Sequence, residues 1–286
     1  MRLWNIFPFD FLFTRSMIYV YDGTWDGLMC LVYRTAGDKN VPEDILRFAM
    51  KSLTDEGFHK GSQRGILLRQ EVLFETTPVE NDVRVAEATA AVLKKRVSRQ
   101  MLSDVWFALL SCDREGDRRV DMALWHTLER VWALGKRAEA DLADEYGQVV
   151  RRAALRTGGE YNKYLGVVRF KDVGGIFYAE LEPDCDVLTL LADHFAARLP
   201  DRGWVLHDLR RKKAVVYDTK KWILTDMDLP RAPSATKEEQ EIQELWREFY
   251  RSTTTNQRLN YKVQRGHMPK KYWKHLIETP NTSTLQ

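Results

Sequence analysis

A change in the pattern of apolar residues along the chain constrains the fold more than any other feature. From Val79 to about Thr157, apolar residues recur three and four positions apart, which is the period of amphipathic helices. From Tyr164 to Met227, most segments are short, rich in β-branched and aromatic residues, and separated by polar turns, a pattern typical of strands. Helices and strands in separate stretches of one chain indicate the α+β class. We therefore predict a mostly antiparallel sheet, a helical layer or subdomain, and a C-terminal helical basic segment.

The domain boundaries follow from the same patterns. The first regular strand pattern begins at Met17, so we interpret residues 1–16 as an extension from an upstream start codon or a dispensable arm. The other predicted parts are an α+β core at 17–229 with a helical insertion at about 79–157, a linker at 230–236, and a basic, aromatic helical segment at 237–286 packed on the core.

Several local patterns predict individual elements. Residues 43–53 favour a short helix, residues 65–78 an extended segment, and residues 186–200 a helix with one apolar face. Residues 164–183 are typical of a hairpin that turns at residues 172–175. Two Gly-Gly pairs, in TGGE at 157–160 and in DVGGI at 172–176, are interpreted as turns.

Composition limits the functional classes. The net charge is only +3, so any nucleic-acid site has to arise from local clustering of basic residues. The three cysteines, Cys30, Cys112 and Cys185, lie far apart and lack CxxC spacing, which argues against a disulfide framework and a zinc ribbon. We expect a reduced, cytoplasmic location. No apolar run approaches the length of a membrane span, and no membrane partner is expected.

Catalytic signatures are weak in this sequence. It has no dinucleotide-binding glycine fingerprint, no Walker loop, no HExxH and no GxSxG. The acidic stretch ELEPDCD at 180–186 has two interpretations: a metal site or general base, or a helix cap made by Asp184 or Asp186. The candidate acid/base set is Glu182, Asp184, His194 and His207. We assign no cofactor and no metal ligands from the sequence.

Basic residues cluster in two regions. Arg210 and Arg211 begin a basic turn between predicted strands, which is either a solvated hairpin tip or a phosphate-holding patch. Between Trp246 and His275, eight basic residues accompany one acid and alternate with aromatic residues, a composition that suits phosphate binding with base stacking. The alternative is an amphipathic helix, with Trp246 and Phe249 facing the core, followed by a docking tail. In either case we expect Tyr272 or Trp273 to pack against the fold.

Four separated motifs carry a family resemblance: YDG at 21–23, YLGVVRF at 164–170, ELEPDCDVLTLLADHFAARLP at 180–200, and ELWREFYRSTTTNQRLNYKVQRGHMPKKYW at 244–273. Together they resemble an uncharacterised bacterial family of DNA metabolism or DNA repair proteins, the domain of unknown function 4130, over Met17 to Leu276. The resemblance implies a genomic association with a radical-SAM protein of DNA modification or repair, and relatives fused to uracil-DNA-glycosylase-like domains. At Cys185 the chain departs from this pattern, since many relatives are expected to have histidine there, which weakens the metal hypothesis.

These observations favour a nucleic-acid-binding accessory protein in bacterial DNA repair or modification. The expected partners are single-stranded or damaged DNA, the radical-SAM protein and a uracil-DNA-glycosylase-like protein. The alternatives are an enzyme that acts on a nucleobase or on the DNA backbone through the acid/base set, and a protein–protein adaptor. The residues expected to bind nucleic acid, some of them carried over from the resemblance, are Arg169, Arg198, Arg210, Arg211, Arg247, Tyr250, Arg251, Asn260, Lys270, Lys271, Tyr272 and Trp273.

Overall fold

The computed structural model describes residues 17–36, 42–47, 75–117, 119–141, 143–229, 233–253 and 260–278. The chain divides into two compact units. Unit 1 comprises Met1–Leu109 and Asp113–Ala154, and unit 2 comprises Leu110–Cys112 and Leu155–Gln286. Helices and sheets of both units confirm the predicted α+β class. Residues 1–16, interpreted above as an extension, lie outside the described residues.

Among the described residues, the sheet of unit 1 has three parallel strands. Strand β1 (Met17–Tyr21) lies between β2 (Asp44–Arg47) and β3 (Glu75–Pro78). Parallel neighbours require a crossover connection, and helix α1 (Trp25–Thr35) lies between β1 and β2 in the chain. The prediction of a helix at 43–53 is wrong at its start, because Ile45 is buried in this sheet. Residues 48–53 lie outside the described residues.

The predicted helical layer forms the remaining described part of unit 1. Its apolar faces share one core with α1 and the sheet, in which Leu28, Leu31, Leu93, Leu124 and Leu128 are fully buried. The elements in chain order are α2 (Val83–Arg96), α3 (Arg99–Leu109), α4 (Asp113–Gly116), α5 (Arg119–Leu134), α6 (Lys136–Glu139) and α7 (Glu145–Val167), whose residues up to Ala154 belong to unit 1.

Helix α7 runs further than the sequence predicts. The expected turn at the glycine pair of residues 158–159 and the expected strand at 164–167 are both wrong, because this segment is helical. Thr157, Glu160 and Tyr164 are buried at helical spacing in unit 2. Burial of this stripe offsets the low helix propensity of the two glycines, which costs about 1 kcal/mol each.

The sheet of unit 2 has five strands and is mostly antiparallel, as predicted. The strands lie in chain order: β4 (Lys171–Val173), β5 (Ile176–Leu181), β6 (Trp204–Asp208), β7 (Lys213–Tyr217) and β8 (Trp222–Asp226). Among the described strands of this sheet, β5 and β6 are the one pair that runs parallel, with the predicted helix α8 (Leu188–Arg198) between them in the chain. The predicted hairpin is β4–β5, and it turns at Gly174 and Gly175, whose positive φ angles of 66° and 88° favour glycine.

The described part of the C-terminal segment of unit 2 is helical, as predicted. It comprises α9 (Lys237–Thr253), α10 (Tyr261–His267) and a 3₁₀-helix (Lys270–His275). Tyr272 is 4% exposed in the core of unit 2, and its ring meets the Tyr164 ring edge-on at 5.2 Å between centroids. The expectation that Tyr272 or Trp273 packs against the fold is therefore confirmed for Tyr272. Among the described helices of both units, none is long and apolar enough to cross a bilayer.

Candidate functional site

A lysine of the 3₁₀-helix joins helix α7 to the acidic stretch after β5. Lys271 Nζ donates hydrogen bonds to Glu160 Oε1 at 2.7 Å and to Asp184 Oδ2 at 2.5 Å. Burial disfavours the charged ammonium group, yet the hydrogen bonds to Asp184 and Glu160 raise the pKa of Lys271 above its ordinary value. Lys271 therefore stays a cation between two carboxylates.

Glu160 organises the acidic stretch, which we call the acidic loop (residues 182–187). Its side chain is 6% exposed, and its two oxygens accept from the backbone N–H groups of Asp184 at 3.1 Å and Cys185 at 2.6 Å. Burial alone would raise the pKa of Glu160, but the hydrogen bonds from Lys271 and from these two N–H groups lower it below its ordinary value. The Glu160 carboxylate is thus ionised and fixes the loop backbone.

Two arginines of the β6–β7 turn bind the same loop. Arg210 Nη1 donates to Asp184 Oδ1 at 3.0 Å, and Arg211 Nη1 donates to the carbonyl oxygen of Pro183 at 3.0 Å. Arg211 also pairs with Asp208, which is buried and accepts from both arginine backbone N–H groups. The turn that the sequence offered as a hairpin tip or a phosphate patch is therefore fastened to the acidic loop.

The end of the 3₁₀-helix makes a second set of contacts. Lys274 Nζ donates to Glu182 Oε1, and His275 Nε2 lies 3.6 Å from the same oxygen. Burial lowers the pKa of His275 despite the neighbouring carboxylates. Glu278 accepts from Arg169 Nη2 at 2.7 Å, and although burial alone would raise the pKa of Glu278, this hydrogen bond lowers it. Arg247 Nε donates to the carbonyl oxygen of Ile277 at 3.2 Å, which fastens α9 to this end of the chain.

The helix-cap interpretation of the acidic loop is wrong. Val187 is the N-cap of α8, and no side chain caps that helix. Asp184 instead pairs with Lys271 and Arg210, and hydrogen bonding to Lys271 lowers the pKa of Asp184. Asp186 donates its backbone N–H to the carbonyl oxygen of Leu110. These partners are distant in the chain, so helix-start patterns could not reveal them.

The candidate acid/base residues are not gathered at one point. Glu182 and Asp184 contact the cations described above, while His207 lies buried on β6. His207 Nε2 donates to the carbonyl oxygen of Met227 at 3.0 Å, so its Nδ1 accepts from the Tyr178 hydroxyl at 2.6 Å. His194 lies on α8 with its ring edge-on to Phe195. Within the described part of the chain, no hydrogen bond or ion pair joins either histidine to Glu182 or Asp184.

Helix α9 leaves an apolar, aromatic face exposed. None of its described residues is buried, and Trp246 and Phe249 are 44% and 56% exposed, so the alternative that both face the core is wrong. Their rings lie 5.8 Å apart between centroids. We call this surface the α9 face; its exposed members are Ile242, Leu245, Trp246, Phe249 and Tyr250.

The remaining predicted binding residues differ in their roles. Asn260 caps α10 by accepting from Val263 N at 3.1 Å, and Trp273 Nε1 donates to the carbonyl oxygen of Met268 at 3.0 Å. On the exposed helix α9, Arg251 Nη1 lies 3.7 Å from Glu248 Oε2. Two further predicted residues have exposed side chains, Arg198 at the end of α8 and Lys270 at the start of the 3₁₀-helix. Lys262 on α10, which was not among the predicted binding residues, is exposed as well.

Sequence reasoning missed several residues of this site. The interpretation of TGGE as a turn gave Glu160 no role. Its position on a buried stripe of helix α7 is the one signal that could have indicated a structural carboxylate. Glu278 and His275 gave no pattern at all. Lys274 was counted among the basic residues but without its partner Glu182.

Comparison with known protein families gives a match over the C-terminal part of the chain. The family described as domain of unknown function (DUF4130) matches residues 118–278, which is more than half of the chain. No curated protein and no solved structure matches. The matched range includes the acidic loop, the β6–β7 turn, the α9 face and the 3₁₀-helix.

Proposed function

This chain belongs to the DUF4130 family, and from the chemistry of its C-terminal surface we propose that it is a nucleic-acid-binding accessory protein in bacterial DNA repair or modification. One observation carries the proposal. Residues 260–278 hold five lysines and arginines and one acid, while Tyr272 and Leu276 anchor the segment in the core. A fixed excess of positive charge suits the phosphate backbone of a nucleic acid.

The ion pairs of the site separate structural cations from candidate phosphate-binding cations. Lys271, Arg211 and Lys274 are engaged by carboxylates or backbone carbonyls of unit 2. Lys262 and Lys270 project from the same segment with exposed side chains. The phosphate contacts are therefore assigned first to these two lysines, with the engaged cations holding the segment in place.

The α9 face supplies the second half of the proposal. Nucleic-acid bases stack on exposed aromatic rings, and each such contact contributes about 1–3 kcal/mol. Trp246 and Phe249 present a pair of exposed rings, whose centroids lie 5.8 Å apart. Stacking requires unpaired bases, so the proposed target is single-stranded DNA or a locally opened, damaged duplex.

The charge assignment predicts the effect of a double variant. Lys262→Ala/Lys270→Ala should weaken binding to a single-stranded oligonucleotide about tenfold at low salt, and the slope of log K against log salt should fall by about 1.4. Fluorescence anisotropy titrations at several salt concentrations measure both quantities. The matched control is Lys94→Ala/Lys95→Ala, which removes two exposed lysines from α2 of unit 1 and should leave the affinity unchanged. Equal affinities for the two variants would reject the assignment.

The stacking assignment predicts a strand preference. Phe249→Ala should lower the affinity for single-stranded DNA about fivefold or more, with a smaller effect on duplex DNA, because only unpaired bases offer open faces. Tyr33→Ala is the control, since Tyr33 lies in unit 1 with 57% of its surface exposed, against 56% for Phe249. The same anisotropy assay with matched single-stranded and duplex oligonucleotides compares them. A similar loss on both DNA forms would count against stacking.

DNA titrations together with a co-purification experiment decide between this proposal and an adaptor. An adaptor would use the α9 face to contact a protein, and its association with the radical-SAM protein would not require DNA. If the wild-type chain binds no DNA at low salt, yet co-purifies with that protein after nuclease treatment, the nucleic-acid proposal is wrong.

A further inference from the structure

Two of the three cysteines meet in unit 2, although 73 positions separate them in the chain. Cys112 Sγ and Cys185 Sγ lie 3.2 Å apart, and both are thiols. Cys185 is fully buried in the acidic loop, while Cys112 is half-buried in the segment that precedes α4. Cys30 is buried in unit 1 and contacts the backbone of Asp82.

Both thiols are held by their surroundings. The backbone N–H of Asp186 donates to the carbonyl oxygen of Leu110 at 2.9 Å, which joins the two segments beside the sulfur atoms. Cys112 N donates to Cys185 Sγ at 3.5 Å, and Cys185 N donates to Glu160 Oε2 at 2.6 Å. A disulfide has its sulfur atoms about 2.0 Å apart, so they need to approach by only about 1 Å.

We propose that Cys112 and Cys185 form a reversible disulfide, which makes this pair a thiol-modification site of unit 2. The oxidant is a small-molecule disulfide of the glutathione class. Cys112, the more accessible thiol, attacks it and forms a mixed disulfide, which releases one glutathione thiol. Cys185 Sγ then attacks Cys112 Sγ and releases the second. Two S–H bonds are lost and one S–S bond forms, while the two electrons and two protons pass to the two glutathione thiols.

The burial of Cys185 limits the rate of this exchange. It raises the pKa of the Cys185 thiol to about 12, so only a small fraction is thiolate near neutral pH. Since the thiolate is the attacking species, closure by Cys185 is the slow step. The pair thus responds to a sustained change in redox potential rather than to a brief one.

The disulfide would change how the site is supported. Cys185 directly follows Asp184, the residue that binds Lys271 and Arg210. Joining it to Cys112 closes a long loop in the chain, and this restricts the unfolded state more than the folded one. The oxidised protein should therefore hold the acidic loop more firmly and unfold at a higher temperature.

The test equilibrates the full chain in glutathione buffers of increasing oxidised fraction, then blocks thiols by alkylation and analyses peptides by mass spectrometry. We expect a linked Cys112–Cys185 peptide that disappears again in excess reduced glutathione, while Cys30 is recovered as an alkylated thiol. The unfolding midpoint of the oxidised protein should rise by roughly 5 °C or more.

Two cysteine variants distinguish a specific Cys112–Cys185 disulfide from non-specific oxidation of thiols. Cys30→Ser should keep both the linked peptide and the rise in midpoint, whereas Cys112→Ser should lose both and leave Cys185 reduced. Replacing the thiol of half-buried Cys112 by a hydroxyl group changes the side chain little, so this variant is expected to fold. The proposal is overturned if Cys112 stops at the mixed disulfide with glutathione, or if Cys30 enters disulfides as often as the other two cysteines.

Discussion

Replacing Arg114 by methionine is expected to lower the free energy of unfolding by about 3–5 kcal/mol. Arg114 and Asp121 form an ion pair in unit 1, and their side chains are only 4% and 5% exposed. Arg114 Nε and Nη2 donate to Asp121 Oδ1 at 2.9 and 2.7 Å, and Nη2 also donates to the Tyr21 hydroxyl at 2.7 Å. Without the guanidinium group, the Asp121 carboxylate would remain buried with no positive partner.

Tyr21 shows why the hydroxyl cannot replace the missing cation. Burial raises the pKa of Tyr21 far above its ordinary value, so the hydroxyl is neutral and donates to Asp121. One neutral hydrogen bond is a weak substitute for the two charged hydrogen bonds that the guanidinium group donates. In the variant, the Asp121 side chain would stay buried without its charged partner or would draw water into unit 1, and either response destabilises the fold.

Urea denaturation followed by circular dichroism measures this effect against a matched control. Arg119→Met removes a neighbouring arginine whose ion pair with Asp117 is exposed, with 81% of the Arg119 side chain accessible, and it should change stability little. The double variant Arg114→Met/Asp121→Leu should recover much of the loss, because both buried charges are gone. If Arg114→Met is as stable as Arg119→Met, the network does not hold unit 1 together.

Glu160→Gln is expected to destabilise unit 2 by about 2–3 kcal/mol. The carboxylate accepts one charged hydrogen bond from Lys271 and two backbone hydrogen bonds from the acidic loop, whereas the neutral amide can replace only part of this set. Glu87→Gln, an exposed position on α2, is the control and should leave the free energy of unfolding near that of the wild type. Urea denaturation of both variants gives the comparison.

The same variant should change the response to acid. The pKa values of Glu160 and Asp184 are lowered in the folded state, so the unfolded chain binds more protons below about pH 5. Their contribution to stability is therefore complete above the unfolded values of about 4.3 and 3.9, and is lost as the pH falls through the lower folded values. Glu160→Gln should lose stability less steeply between about pH 5 and pH 3. An unchanged pH slope would mean that the pKa of Glu160 is the same in the folded and unfolded states, which would contradict the predicted lowering.

Local patterns predicted most of the regular structure. The helical layer, helix α8, the presence of strands between Trp204 and Asp226, and the helical C-terminal segment all follow from apolar periodicity and turn residues. The failures are also local in origin. Residues 43–47 carry a helical pattern, but Ile45 is buried in a parallel sheet, and the glycines of TGGE stay helical because their neighbours are buried. Tertiary burial outweighs propensities of about 1 kcal/mol or less per residue.

The sequence by itself determined the α+β class and the residues that make up the basic, aromatic C-terminal block. It also predicted that Tyr272 or Trp273 packs against the fold. Only the tertiary structure decided which charges of that block are engaged. Lys271 and Asp184 are 87 positions apart, and Cys112 and Cys185 are 73 apart. Sequence periodicity reports the face on which a side chain lies, over one or two turns of an element. The partner on that face depends on how distant elements pack, and this packing turned an apparent patch of cations into a mixed network of structural ion pairs and exposed lysines.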